Sequence, residues 1–303
     1  MRTTVEVDSM QNIRLCLTLL VLTALPSMAT GQAATPLVSL DWLDKHLRDP
    51  KVVVIHAAAQ KGDYDAGHIP GARWLAWQAY TTALNGQTTE LPSVAALDSA
   101  LEAIGVSDDS HVVISGGPIQ TSARLFFTLE YFGLPRVSML DGGIDAWRES
   151  GRPLEQAAPN ATRGSLTLRP VATRLVDAAW LAANLENPAV AVLDARVPEF
   201  YHGLYTGGNN PRPGRVPGAR NIPFTWLTGE LTAFRSPNKL AALFAKAGVS
   251  KGTRVVTYCH VGMQATVLYL AARILGYDAA LYDGSFEEWS KRTEFPVQTT
   301  NKQ

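Results

Sequence analysis

The chain has 303 residues, enough for two domains of about 130 to 150 residues each. Its 27 Lys plus Arg balance 27 Asp plus Glu, so the formal charge is zero; this excludes a nucleic-acid binder working through bulk positive charge, and an acidic solvating tail. A hydrophobic fraction of 46% belongs to a globular chain rather than a disordered one.

In chain order, the first feature is an apolar run of eleven residues, 15–25, preceded by Arg14 and followed by Pro26-Ser27-Met28-Ala29. A membrane anchor needs about 20 such residues, so the run is too short to span a bilayer. With a basic flank and small residues up to Ala29 or Ala33, residues 1–33 read as a cleaved secretory signal. A buried core helix is the competing reading, and the lack of a polar face argues against it. Glu6 and Asp8 are unusual in a signal's positive region, which points to Met10 as the functional start, and no lipid-attachment box precedes Cys16. The expectation is an exported chain, periplasmic or extracellular, with no membrane anchor after cleavage. Cleavage removes Arg2, Arg14, Glu6 and Asp8 together, so the charge stays balanced, and it removes Cys16. Cys259 then stands alone in an oxidising compartment, where an unpaired thiol is either buried and inert or kept because it reacts.

Two similar halves follow. Trp42-Leu43, Leu47, Pro50, Val52, Val54 and Ala57 recur 138 positions later as Trp180-Leu181, Leu185, Pro188, Val190, Val192 and Ala195. Pro70-Gly71-Ala72-Arg73 recurs as Pro217-Gly218-Ala219-Arg220 at an offset of 147. Gly105-Val106-Ser107 matches Gly248-Val249-Ser250 at 143, and Asp141-Gly142 with Trp147 matches Asp283-Gly284 with Trp289 at 142. The order is kept and the offsets change in loops, which predicts tandem domains at 36–155 and 171–298. Residues 156–170 between them have linker composition, with a formal glycosylation sequon at Asn160-Ala161-Thr162. Within each half, short β-branched runs such as 111–114 and 254–258 alternate with helical patterns such as 122–132 and 264–275. Gly133 and Gly276 sit where helices should stop. The fold class is therefore α/β, each domain a mainly parallel sheet flanked by helices.

The halves differ where open α/β sheets place their sites, at the carboxyl ends of strands. The first half has Gly116-Gly117-Pro118-Ile119-Gln120 after its strand; the second has Cys259-His260-Val261-Gly262-Met263-Gln264. Likewise His56-Ala57-Ala58 faces Asp194-Ala195-Arg196. A cysteine between a strand and a helix, in a turn whose Gly262 can take positive φ, should meet converging amides and the helix's positive end. Such a thiol is expected to be acidified from about 8.5 into the range of roughly 3.5 to 7.5, with Arg196 as an anion clamp. A buried structural cysteine is the bland alternative, and the loss of the same features from the first half weighs against it.

These residues together resemble the two-domain rhodaneses: tandem halves, Asp-Ala-Arg at a strand end, Val-Pro-Gly-Ala-Arg-Asn-Ile-Pro, a strand ending Tyr-Cys, and Tyr-Asp-Gly-Ser with Trp289, covering about residues 36–297. The resemblance implies a sulfurtransferase whose second domain is catalytic and whose first is silent, using no cofactor and no metal. A small anionic donor, thiosulfate or 3-mercaptopyruvate, would load a persulfide on Cys259, and cyanide or another thiophile would accept it. The amides of His260, Val261, Gly262, Met263, Gln264 and Ala265 would cradle the persulfide, and Arg196 would hold the donor. Ser285 would hydrogen-bond the sulfur, or else cap a helix, and Arg196 has Glu199 as a possible structural partner. Arg220 and Asp194 read as scaffold, since the arginine recurs at Arg73.

This chain departs from the family in one respect. After the cysteine stand His260-Val261, neither the Arg-Lys pair typical of thiosulfate enzymes nor the Gly-Ser of mercaptopyruvate enzymes. His260 would then supply a conditional positive charge or be a solvated loop residue. Residues 203–213, rich in Gly, Asn and Pro, are expected near the cleft as a loop, floppy rather than a lid. A cysteine phosphatase needs arginine six positions after the cysteine, where Ala265 and Thr266 stand; six scattered histidines form no metal site, and His202 is not placed to serve a Cys-His hydrolase. The rival from another class is a non-catalytic sulfur carrier, loaded on Cys259 by a partner.

Overall fold

The computed structural model describes residue 1, residues 34–84 and residues 86–300. The expected signal, with its apolar run and Cys16, lies outside the described residues apart from Met1.

The first half runs β1 (Leu37–Val38), α1 (Leu40–His46), β2 (Val52–Ala58), α2 (Lys61–Asp65), β3 (Arg73–Ala76) and α3 (Trp77–Tyr80). A short hairpin follows, β4 (Thr82–Leu84) and β5 (Gln87–Glu90), then α4 (Val94–Ala103), β6 (His111–Ser115), α5 (Ile119–Tyr131), β7 (Val137–Leu140) and α6 (Gly143–Glu149). The second half runs β8 (Leu175–Val176), α7 (Ala178–Ala183), β9 (Val190–Asp194), α8 (Pro198–Tyr201) and β10 (Arg220–Asn221). It closes with α9 (Pro237–Lys246), β11 (Arg254–Tyr258), α10 (Met263–Ile274), β12 (Ala279–Tyr282) and α11 (Ser285–Lys291).

Each half folds a five-stranded, wholly parallel sheet, and the strand orders correspond: β1-β7-β6-β2-β3 and β8-β12-β11-β9-β10. The local chemistry repeats as well. Ser39 Oγ accepts from Trp42 N–H at 3.1 Å to cap α1, and the Asp177 carboxylate accepts from Trp180 N–H at 2.7 Å to cap α7. Gly133 and Gly276 stop α5 and α10 with φ of 86° and 78°, a conformation that glycine adopts without a Cβ penalty. The strands Val52–Ala58 and Val190–Asp194 are buried along nearly their whole length, because helices cover both faces.

The halves share one core. α5 packs on α10, and the largest apolar cluster joins Ala123, Phe126 and Phe127 of the first helix to Val267, Leu268 and Tyr269 of the second. Burying each large side chain contributes roughly 1.5–3 kcal/mol, so neither half would leave this face in water without loss. Glu130 of α5 also accepts from Arg273 at 3.0 Å and from the Tyr269 hydroxyl. This pairing places the N-terminal ends of both helices, and the strand-end loops that lead into them, beside the neighbouring half.

Candidate active site

Cys259 follows the last residue of β11, and α10 starts at Met263. Gly262 between them has φ of 85°, and a Cβ there would collide with the Asp283 carboxylate, so this turn accepts only glycine. The backbone amides of Ala265, Val261 and Gln264 pull the pKa of the Cys259 thiol down. These are three of the six loop residues named for the cradle.

The loop backbone is held by the turn after β12. Cys259 N–H donates to Ser285 Oγ at 3.2 Å, and Ser285 Oγ donates to Tyr282 O at 3.0 Å. Phe286 N–H donates to Cys259 O and Glu287 N–H to His260 O, both at 3.0 Å. Ser285 itself has φ of 52°, unusual for a residue with a side chain. Its hydroxyl thus positions the peptide of Cys259 and does not reach the sulfur as expected, nor does it cap α11.

Three further expectations need correction. The first concerns the thiol. Cys259 is fully buried, and burial pushes its pKa up from the usual value, outweighing the three amides that pull it down. Nearby Asp194 adds to the rise. Removing a thiolate from water costs more than three peptide dipoles return, so the thiol is neutral in this closed form rather than acidified.

The second concerns Arg196. It is 1% exposed, with Nε 3.0 Å and Nη2 2.6 Å from the Asp194 carboxylate and Nη2 2.7 Å from Gly214 O. Its guanidinium lies over the Phe286 ring at 4.2 Å. Burial alone would lower its pKa, but the Asp194 carboxylate reverses this and raises it. Arg196 is thus a committed partner of Asp194, not of Glu199, through Nε and Nη2.

The third concerns His260. Burial, reinforced by the Arg196 charge, lowers its pKa to about 4, so it is neutral at physiological pH and supplies no conditional charge there. Its ring meets Phe200 edge-on at 4.7 Å, and Asn210 Nδ2 stands 3.2 Å from Nδ1. Asn210 belongs to the 203–213 segment, which is seated rather than floppy. Arg212 donates to the carbonyls of Trp289, Ser290, Arg292 and Phe295 at 2.8–3.0 Å. A Cβ on Gly207 would lie 2.7 Å from both His260 and Phe200, so this cover rests directly on the cysteine loop.

The first half contributes residues that sequence reasoning missed. Arg124 of α5 is fully buried and forks onto Asp283, with Nη2 2.9 Å from Oδ2. Gly262 packs against this pair, which links the two halves beneath the cysteine loop. Thr89 donates its hydroxyl to Val261 O, and Gln87 Nε2 donates to Gly284 O at 3.3 Å. Beside them Glu90 has its pKa pushed up to about 7, first by burial and then by the Asp283 charge. The buried thiol thus lies beneath a polar wall built from both domains.

The family model of the rhodanese-like domain matches twice, at residues 39–150 and 177–292. The chain belongs to the rhodanese-like family. It is 31% identical to a 3-mercaptopyruvate sulfurtransferase of Escherichia coli over 285 residues, covering 88% of this chain and 99% of that protein. It is 30% identical to the sulfur carrier protein TtuD of Thermus thermophilus, covering 86% of this chain and 95% of that one. Among solved structures, an anaerobic ergothioneine biosynthesis enzyme of Chlorobium limicola matches at a TM-score of 0.78 and 21% identity, covering 88% of this chain and 71% of that chain, a likeness of fold. This rhodanese-type sulfurtransferase thus has tandem domains, each with the α/β sheet that its sequence predicts.

Proposed function

We propose that the protein moves sulfane sulfur through a persulfide on Cys259, from thiosulfate or a similar small anionic donor to cyanide or another thiophile. The observation that carries this reading is the place of Cys259 in the tight turn between β11 and α10, where the Val261, Gln264 and Ala265 amides lower the pKa of its thiol. In the first half-reaction the Cys259 thiolate attacks the donor's outer sulfur, an S–S bond forms, and the donor's bond to that sulfur breaks with its electron pair leaving as sulfite. In the second, the thiophile attacks the terminal sulfur and Cys259 departs as thiolate. The same amides favour the anionic sulfur at both ends of the cycle. Burial of the thiol makes its ionisation, with the proton passing to solvent, part of the barrier. By its sequence alone, the 1–33 segment supports the further proposal that the protein works outside the cytoplasm.

A second reading draws support from the charge balance of the site. Arg196 and Arg124 are each matched by a carboxylate, and His260 is neutral, so a free anionic donor gains no unmatched cation from them. On this reading Cys259 is loaded by a partner's persulfide, as in a carrier. Turnover with cyanide as acceptor separates the two when thiosulfate, 3-mercaptopyruvate and a protein persulfide are compared as donors. Sustained turnover with a free donor, abolished in Cys259→Ser, supports the enzyme, with 3-mercaptopyruvate as the alternative donor. A single stoichiometric loading supports the carrier. Transfer that survives in Cys259→Ser refutes both.

A further inference from the structure

Each half has a groove in the same place, between the helix after its second strand, the short edge strand and the carboxyl end of the helix that precedes the central strand. The tyrosine and arginine contacts recur, the arginine's acceptor shifted by one residue. Tyr64 and Tyr201 donate their hydroxyls to Ala72 O and Ala219 O at 2.9 and 2.7 Å. Arg73 and Arg220 donate to Ile104 O and Gly248 O at 2.6 and 2.8 Å.

In the first half part of the protein's own chain borders the groove, narrowing it to a cavity of about 390 Å³. Linker residues 158–161 form one wall beside Arg73 and Trp74. The chain then continues along the same face, bound mainly through its backbone. Gly164 N–H donates to Glu102 O at 2.8 Å, Ser165 N–H to Ser107 Oγ at 3.1 Å, and Asp108 N–H to Ser165 O at 3.1 Å. Thr167 N–H donates to the Asp108 carboxylate at 2.8 Å, and Arg163 pairs with Glu102 at 2.6 Å. An extended, basic segment is matched to an acidic edge.

In the second half the corresponding groove is an open cavity of about 530 Å³ lined by Tyr201, Arg220, Asn221, Trp226 and Lys246. Its edge has the opposite charge. At the offset of 143, Glu102, Ala103 and Asp108 are replaced by Ala245, Lys246 and Lys251. Ser250, the counterpart of Ser107, and Lys251 are exposed, and Trp226 is 43% exposed, a large apolar face for a lone surface tryptophan. No described residue runs along this edge as the linker runs along the other; Thr300, the last described residue, meets His202 at the groove's margin, its N–H 3.2 Å from His202 O.

We infer that this groove docks an extended acidic segment of a partner protein. The segment is held along its backbone as the linker is, with its carboxylates on Arg220, Lys246 and Lys251 and its apolar side against Trp226. The inference goes beyond the sulfur chemistry and survives if that reading fails.

The test uses the full chain and a fluorescein-labelled peptide of about ten residues alternating Asp or Glu with Leu and Ser, an extended segment of the kind such grooves take. Fluorescence anisotropy should show saturable binding that weakens as salt rises. The double variant Lys246→Glu with Lys251→Glu should lose affinity by about tenfold or more, because like charges then face each other. Trp226→Ala should also weaken binding, and both variants should keep wild-type sulfur transfer. If charge reversal disturbs folding by circular dichroism, the Gln pair at the same positions gives the smaller loss expected from neutralisation. Equal binding of an all-lysine analogue, or unchanged affinity in the lysine variants, overturns the inference. Tighter binding by a chain ending at Thr300 would assign the groove to the protein's own last residues, and a dimer that competes with the peptide would assign it to a second copy. Either result also overturns the partner.

Discussion

The loop after β6 and the loop after β11 occupy equivalent places, yet only the second carries a cysteine. After β11 the turn bears Cys259, and three backbone amides pull the pKa of its thiol down. After β6 the chain collapses: Gly116 has φ of 110°, and a Cβ there would lie 2.8 Å from both N and O of Ala57. The neighbouring strand ends differ in kind. The active half buries the ion pair Asp194–Arg196, whereas the silent half buries His56, whose ring nitrogens have no partner, beside Ala58. Each half also covers the other's loop. Thr89 and Gln87 reach the cysteine loop and its supporting turn, and in return Phe234 N–H donates to the Asp141 carboxylate at 2.8 Å while Leu231 O approaches Gly142. The first half is therefore a wall of the cysteine loop and half of a common core.

The largest break in this comparison should come from the buried pair between the halves. Arg124→Leu leaves Asp283 charged and alone under Gly262, which should cost about 3–5 kcal/mol of stability. Chemical denaturation measures it, and a loss below about 1 kcal/mol, the range of an exposed pair, would remove the pair from its role. Arg196→Ala similarly strands Asp194 and should lower thermal stability and transfer rate together. A selective rise in KM with unchanged stability would restore the donor clamp. Gly116→Cys in a Cys259→Ser background should stay inactive and lose roughly 1–3 kcal/mol to backbone strain. Detectable transfer would show that the silent loop lacks only its sulfur.

The smallest effect concerns His56. Burial, then the neighbouring His68, lowers its pKa to about 4. Because the unfolded chain binds this proton more readily than the folded one, stability should fall as pH drops from about 6.5 toward 4. His56→Gln should flatten that slope, and an unchanged slope would mean that the imidazole is not buried neutral.

Much of this was legible in the sequence, and the unread parts have physical causes. The offsets between Trp42 and Trp180, or Asp141 and Asp283, exposed two matching sheets because caps and strand ends recur with the fold. Cys259 was identified by the glycine that replaces it at 116. Arg124 and Asp283 were not paired, because they lie 159 residues apart and meet only through the packing of α5 on α10. Asp194 was read as scaffold, and nothing in the sequence revealed that Arg196, two residues away, folds back onto it. The thiol was misjudged because amide donors can be counted from a loop, whereas desolvation depends on every atom that covers the sulfur, including Asn210 and its neighbours in the 203–213 segment.

The central claim is that Cys259 carries the sulfur at the focus of the Val261, Gln264 and Ala265 amides. Intact-protein and peptide mass spectrometry after incubation with thiosulfate, 3-mercaptopyruvate or a protein persulfide measures this directly. A mass gain of one sulfur atom, confined to the peptide containing Cys259 and lost on addition of cyanide, is the predicted result. An unmodified Cys259 peptide under conditions in which sulfur is being transferred would contradict it.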